Sequence, residues 1–370
     1  MMRHQSYRLP AGEATVPAST ACPAAVCDAG DMDSAHVDDV PARYSDFAEY
    51  EVRGRTPVYL SWARGVAGDS ATSELIGTLP RIKRQPALFF AAARHAGAPE
   101  TEDYATFRGF VHDHWAEIER IALTHSTQTN EAKRCAVLLP FLSLLPGPLS
   151  LVEMGASAGL CLYPDRYAYR YTLDGGSTHE LRPAADPDSA AVRPPVLDCD
   201  LRDGVPLPRS LPEVAHRGGV DLSPIDPADP ESRAWLHSLI WPGQHEQRGP
   251  RLDAALDIAA ADPPRILAGD LLERLEDSVA ACPAGTTPVV FHTAVLGYLE
   301  TPARAEFVRR VTELDCVWIS VEGVTLLPDV AAQVPESIRR HKGIFVVAVN
   351  GRPLATAHGH GDWVRALDVP

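Results

Sequence analysis

Glu153 closes the apolar run of the segment LSLVEMGASAGLCLYPDRY, and Gly155, Ser157 and Gly159 follow it at alternate positions. Gly155 permits a backbone turn that a Cβ would obstruct, and Ala156, Ser157 and Ala158 put little side chain in the way. If a helix opens near Ser157, its free N–H groups and partial positive charge can receive a carboxylate or polar edge of a ligand. Glu153, just before the turn, can accept from a ligand amino group or from loop amides. Two further carboxylates fall at strand ends: Asp221 in VAHRGGVDLSPID and Asp270 in PPRILAGDLLERL. His292 and Thr293 close a fourth strand in PVVFHTAVLGYL. A histidine titrates near neutral pH and can act as a general base there. Tyr298 follows and can line the same pocket. Each acid taken singly suits a helix N-cap equally well. Three acids after three successive strands make the stronger case.

The spacing selects among ligands. A phosphate loop needs GxxxxGK[ST], which is absent, and a dinucleotide fingerprint needs GxGxxG, where this chain has Leu160 in place of the third glycine. The alternate spacing resembles the E-x-G-x-G-x-G first motif of S-adenosylmethionine methyltransferases, with Ser157 replacing the middle glycine. On that resemblance Glu153, Gly155, Ser157 and Gly159 hold the cofactor's amino-acid end. Asp221 can take both ribose hydroxyls in a bidentate bond. Asp270, with Leu271 beside it, meets the adenine, and Thr293 completes the cofactor set. Asp174 competes for the ribose role but lies in a hairpin-like insertion, so Asp221 is preferred.

Other constellations carry less. His112 and His114 flank Asp113, but on a helix they stand about 200° apart and cannot share a metal. His114 falls on the apolar face of that helix and reads as a core residue. His358 and His360 in GHGHGDW would share one side of a strand, yet no third ligand can be placed, so a metal is not expected and His360 is read as pocket-lining. In HSTQTNEAKRC, Thr129 or Asn130 can cap the following helix, and Gln128 and Asn130 can reach the pocket. No GxSxG elbow or HExxH helix occurs.

These residues need a scaffold. The chain has 370 residues, 45% hydrophobic, with a formal net charge of -15. An acidic surface argues against nucleic acid and anionic lipid as partners. Seven scattered cysteines without a CxxC suit reduced thiols and a cytoplasmic location. No signal peptide and no membrane-spanning run is read. Residues 1–40 lack a hydrophobic period and read as a flexible tail. Residues 41–148 read as a helical lid domain, with one long amphipathic helix over TFRGFVHDHWAEIERIALTH. From residue 149 short β-rich runs alternate with helices. Strands are expected near 149–154, 217–221, 265–269, 288–292, 316–321 and 344–349. Helices are expected near 157–164, 230–240, 249–261, 271–281 and 302–314. The pattern predicts an α/β, Rossmann-like, mostly parallel sheet of seven strands over 149–370, with a β-hairpin insertion near 166–211. Asn350-Gly351 favours a type I′ turn, so one C-terminal strand should run antiparallel.

The blocks STQTNEAKRCAVLLP, LVEMGASAGLCLYPDRYAYRY, RGGVDLSPID, LIWPGQ, AGDLL, VVFHTAVLGYL, WISVEG and NGRPLATAHGHGDW together resemble the domain of unknown function 2332, a mainly actinobacterial group. The likeness runs from about Phe47 to the C-terminus. It implies a methyltransferase-like fold and raises a catalytic or pocket role for Gln128, Asn130, His292 and Glu322. The chain departs from the pattern at Cys161, Thr293 and Val321, which bears on the substrate more than the cofactor. The resulting expectation is an S-adenosylmethionine-binding enzyme that methylates a small molecule. The alternatives are other chemistry on the same cofactor, a binding protein with a vestigial site, and a nicotinamide-dependent oxidoreductase, which the glycine spacing disfavours.

Overall fold

The computed structural model describes residues 39–128, 130–184, 193–341 and 343–368. The expected tail therefore lies almost wholly outside the described residues, as do Thr129, Cys22 and Cys27.

From Val40 to the first strand the described residues are mainly helical, as expected. The helices are α1 (Val40–Asp46), α2 (Pro57–Gly68), α3 (Ser70–Thr78), α4 (Pro86–His95), α5 (Tyr104–Asp113), α6 (Trp115–Thr124) and α7 (Cys135–Leu142). Asp39, Thr56, Asp69 and Asp103 cap four of them by accepting first-turn amides. The long helix expected over residues 106–125 is broken in two at His114, whose backbone is not helical. His114 is exposed and stacks on Phe110, 4.1 Å between ring centroids, instead of entering the core. Aromatic packing joins these helices, with Trp62 stacked on Phe107 at 3.8 Å.

The strands are β1 (Leu149–Met154), β2 (Ala168–Thr172), β3 (Thr178–Leu181), β4 (Val196–Arg202), β5 (Val214–Asp221), β6 (Arg265–Ala268), β7 (Thr287–Thr293), β8 (Val317–Gly323), β9 (Ile344–Val349), β10 (Arg352–His358) and β11 (Trp363–Ala366). Between and after them run α8 (Pro230–Ser238), α9 (His245–Ala261), α10 (Leu271–Ala280), α11 (Thr301–Glu313), α12 (Pro328–Gln333) and α13 (Glu336–Arg339). All the strands join one sheet in the order β3-β2-β4-β11-β10-β9-β8-β7-β1-β5-β6. The block β8-β7-β1-β5-β6 is parallel throughout.

Two expectations change. Among the described residues the sheet has eleven strands, not seven. Asn350 and Gly351, at φ 50° and 75°, make the expected tight turn and set β10 antiparallel to β9, which also runs antiparallel to β8. The chain then adds β11, and its free edge recruits the insertion: β4 pairs parallel with β11 and with β2, and only β2 and β3 form a hairpin. The insertion thus extends the sheet. The helix expected at 157–164 is absent and only a single 3-10 turn, Leu160–Leu162, occurs there.

Alternation along the strands sorts the two faces. Leu149 and Leu151 of β1, Val289 and Phe291 of β7 and Ile319 and Val321 of β8 belong to one core, shared with α1–α9. Val152, Met154, Val290 and Trp318 belong to a second, shared with α10, α11 and α12. The helical layer and the sheet share the first core without a break.

Candidate functional site

From β1 the chain moves outward to β5 and β6 in one direction, and later to β7 and β8 in the other. That reversal makes a topological switch point at the carboxyl ends of β1 and β7, where open α/β sheets bind ligands. Glu153, Asp221, Asp270 and Thr293 all stand at that edge, on or just after β1, β5, β6 and β7. Asp174 sits in the β2–β3 turn near the far edge of the sheet, where it accepts from the Asp203 amide at 2.8 Å.

The glycine turn is closed by the protein itself. Gly155 and Ala156 donate to Val220 O at 2.8 and 3.1 Å, and Gly159 donates to Ala156 O at 2.6 Å. Ser157 N donates to Asp221 Oδ2 at 2.8 Å, and Ala158 N to Asn130 Oδ1 at 3.1 Å. With no helix behind it, the turn has neither a dipole nor spare amides to offer. The bare positions also have occupants. A Cβ on Gly155 (φ 72°) would collide with Val295, and one on Gly159 would come within 2.7 Å of Pro264. Gly155 is thus glycine to admit Val295 from the loop after β7. Asn130 reaches the turn as expected, but as its brace: its Nδ2 also donates to Ser157 Oγ at 2.7 Å. Gln128 donates to Asp221 Oδ1 at 3.1 Å and to Ser223 O at 2.9 Å.

His292 and Glu322 fall on the other side of the sheet. They alternate with Phe291 and Val321, so they share the second core's face with Trp318, whereas Glu153 shares the first core's face with Leu151. His292 is fully buried. Its Nε2 accepts from the Trp318 indole at 2.9 Å. An indole only donates, so Nδ1 carries the proton and donates to Glu322 Oε1 at 2.6 Å. Both nitrogens are engaged away from the crevice, and His292 has no free nitrogen for the base role that the sequence suggested. Glu322 Oε1 also accepts the Val295 and Leu296 amides at 3.0 and 3.1 Å. The pair therefore positions the loop that carries Val295, which Ala294 enters at φ 56°.

On the first core's face the structure gathers charges that sequence reasoning missed. Glu131, buried, receives both Arg251 nitrogens at 2.8 and 3.0 Å. Arg248 Nε lies 3.1 Å from Glu131 Oε2 but is aimed too poorly for a hydrogen bond. Burial alone would raise the Glu131 carboxyl, but Arg248 and Arg251 outweigh it and hold it at about 2. Arg134, also buried, donates from Nε to Gly359 O at 2.9 Å and from Nη1 to Thr293 O and Oγ1 at 3.1 and 3.2 Å. Burial and then Cys161 push the Glu153 carboxyl well above the usual range, and its Oε2 has no partner. His360 is partly exposed, yet its Nδ1 is buried without a partner; desolvation, then Arg248 and Arg134, push its pKa well below the ordinary histidine value. The available signal was the pair Arg248 and Arg251, three apart beside the α9 stripe Leu252, Ala255, Leu256 and Ala259.

Asp270 caps α10 by accepting from Leu272 N at 2.7 Å, and Leu271 packs half-buried against the second core. Tyr298 is exposed. Among the described residues no group of three or more His, Cys, Asp or Glu is placed to hold a metal, and no helix is long and apolar enough to cross a membrane. Against known proteins, one family model matches, over residues 41–366; it is described as an uncharacterized protein conserved in bacteria, DUF2332. No curated protein and no solved structure matches the chain.

Proposed function

Since the chain belongs to DUF2332, whose description names no reaction, its chemistry must be read from the site, and we propose an S-adenosylmethionine-binding enzyme that methylates a small molecule. One observation carries this reading. Glu153, Asp221 and Asp270 stand on or just after the ends of three neighbouring parallel strands beside the switch point, with Gly269 N donating to Asp221 O at 3.0 Å.

The acids fit the nucleoside end. Asp221 is partly exposed; its Oδ1 accepts from Gln128 and Ser223 N and its Oδ2 from Ser157 N alone among the described residues, so Oδ2 would take a ribose hydroxyl, and Asp270 commits only Oδ1 to its cap among those residues. The unpartnered Oε2 of Glu153 fits an ammonium. The turn at Gly155 does not fit as a carboxylate receptor, because its amides are spent. When bound, the cofactor supplies an electrophilic methyl group on a sulfonium. Methyl transfer then asks the protein for alignment and exclusion of water more than for proton chemistry. Gln128 and Asn130, on the segment between α6 and α7, bind Asp221 and the turn and thereby hold the helical layer over the crevice. His292 and Glu322 fix the β7 loop from behind.

A second reading, binding without turnover, is favoured by the saturated turn. Calorimetric titration with S-adenosylmethionine and with NAD tests the first step. Binding of S-adenosylmethionine alone, weakened about tenfold or more by Asp221→Ala, supports the reading. Unchanged affinity in the variant removes the ribose role. S-adenosylhomocysteine released with a methylated acceptor separates turnover from binding.

A further inference from the structure

Among the described residues two cations are buried outright, Lys133 and Arg134, while several others are half-buried. Arg94 meets Glu100, Arg217 meets Asp165, Arg251 meets Glu131 and Lys133 meets Asp362. Arg134 is 9% exposed and, among the described residues, has no carboxylate within ion-pair distance. Its bonds go to two carbonyls and a hydroxyl, and its Nη2 has no hydrogen-bond partner among the described residues. A buried charge without a counter-charge is destabilising, and a bound anion would offset that cost. The place is specific: Thr293 ties the guanidinium to the end of β7, at the switch point, and Gly359 ties it to the loop that carries His360.

Near it, among the described residues, three buried atoms have no hydrogen-bond partner: Arg248 Nε, His360 Nδ1 and Glu153 Oε2. Two of them belong to groups that can donate to an anion. The nearby carboxyl of Glu153 is held toward its neutral form by burial and so does not balance Arg134. The turn amides, the other possible anion holders, are already used.

We propose that Arg134, with Arg248 and His360 beside it, is the receptor for a ligand carboxylate, which is either the amino-acid end of the cofactor or the acid group of a carboxylic-acid substrate. The carboxylate pairs with the guanidinium, and the neighbouring Glu153 oxygen accepts from an ammonium when the ligand is an α-amino acid.

The first arm of the test rests on the methyl-transfer reading and the second does not. Binding of S-adenosylhomocysteine is compared by calorimetry with 5′-methylthioadenosine, which lacks the carboxylate and the ammonium, and with decarboxylated S-adenosylhomocysteine, which lacks the carboxylate alone. A cofactor carboxylate at Arg134 makes S-adenosylhomocysteine at least tenfold tighter than the decarboxylated form. Arg134→Gln abolishes that ratio while 5′-methylthioadenosine binds as before. In the second arm L-methionine, succinate and benzoate are titrated alone and with 5′-methylthioadenosine present. A carboxylate that binds wild type and is lost in Arg134→Gln assigns the receptor to a substrate, even if no nucleoside binds and the cofactor reading fails. If nucleosides bind with no preference for the carboxylate and no acid binds in the second arm, the receptor is overturned while the cofactor reading stands. If neither nucleosides nor acids bind, both fall. Should Arg134→Gln not fold, the ligand comparison on wild type decides, and His360→Asn replaces it, with a threefold or greater loss expected for the carboxylate-bearing ligand alone.

Discussion

Glu131 spends its carboxylate on holding two arginines beneath the crevice. Glu131→Gln leaves those guanidiniums buried without a counter-charge and should cost about 3 kcal/mol of stability, read from urea unfolding at pH 7. The pH dependence has a definite sign. The folded carboxyl sits at about 2, below its ordinary 4.5, so its stabilisation is complete above 4.5 and fades as pH falls from there toward 2. Wild type should lose stability across that window faster than Glu131→Gln does. His292 makes the opposite kind of claim. As a positioning residue with both nitrogens engaged, His292→Ala should lower stability by about 2–4 kcal/mol and loosen the β7 loop. A pH–rate profile keeping its inflection in that variant would agree with the buried geometry; loss of the inflection would restore the base. Part of this was legible: Gln128, Asn130, Asp221 and Ser157 were named from residue type and order, and they do meet. The opposite faces of His292 and Glu153 were not legible, since alternation within β1 and within β7 does not give the register that sets Met154 beside His292. What no spacing rule reveals is that Val295, 140 positions after Gly155 in the chain, is what the glycine admits.

Elements were easier to read than contacts. The strand limits expected at 149–154 and 344–349 are those observed, because each is an apolar run bounded by turn residues. The helix expected at 157–164 failed because Ser157 and Gly159 take left-handed backbone, φ 51° and 71°, in a turn that Asp221 and Asn130 hold. The extra strands were hidden because pairing partners lie far apart in sequence, as with Asp200 and Trp363. The fit between the turn and the β7 loop gives an element-level prediction. Gly155→Ala forces an L-residue to φ 72° and into Val295, and should cost about 2 kcal/mol. Val295→Ala in that background should recover about 1 kcal/mol, a coupling that a double-mutant cycle by chemical denaturation measures. Additive effects would mean that the two do not touch.

At the scale of the whole molecule, the helical layer is part of the sheet's own core. Trp62 and Phe107 continue through α7 to Leu149 and Leu151 without an intervening solvent gap. The layer and the sheet should therefore unfold together. Urea transitions followed in variants that keep only Trp62 or only Trp318 should coincide within about 0.2 M, since one cooperative unit has one midpoint. Separate midpoints would mark the helices as an independent domain, as the sequence alone suggested.

A relay of hydrogen bonds runs along the second core's face of the sheet. Trp318, on the rear side, donates to His292; His292 donates to Glu322; and Glu322 grips the two amides behind Val295. An event on the front that shifts Val295 must tug this relay and disturb the indole at its far end. The protein thus contains its own optical gauge. In a variant that keeps Trp318 as the sole one of the six tryptophans, emission should shift when the wedge at Gly155 is displaced and should not shift for a ligand that settles on the acids without touching it.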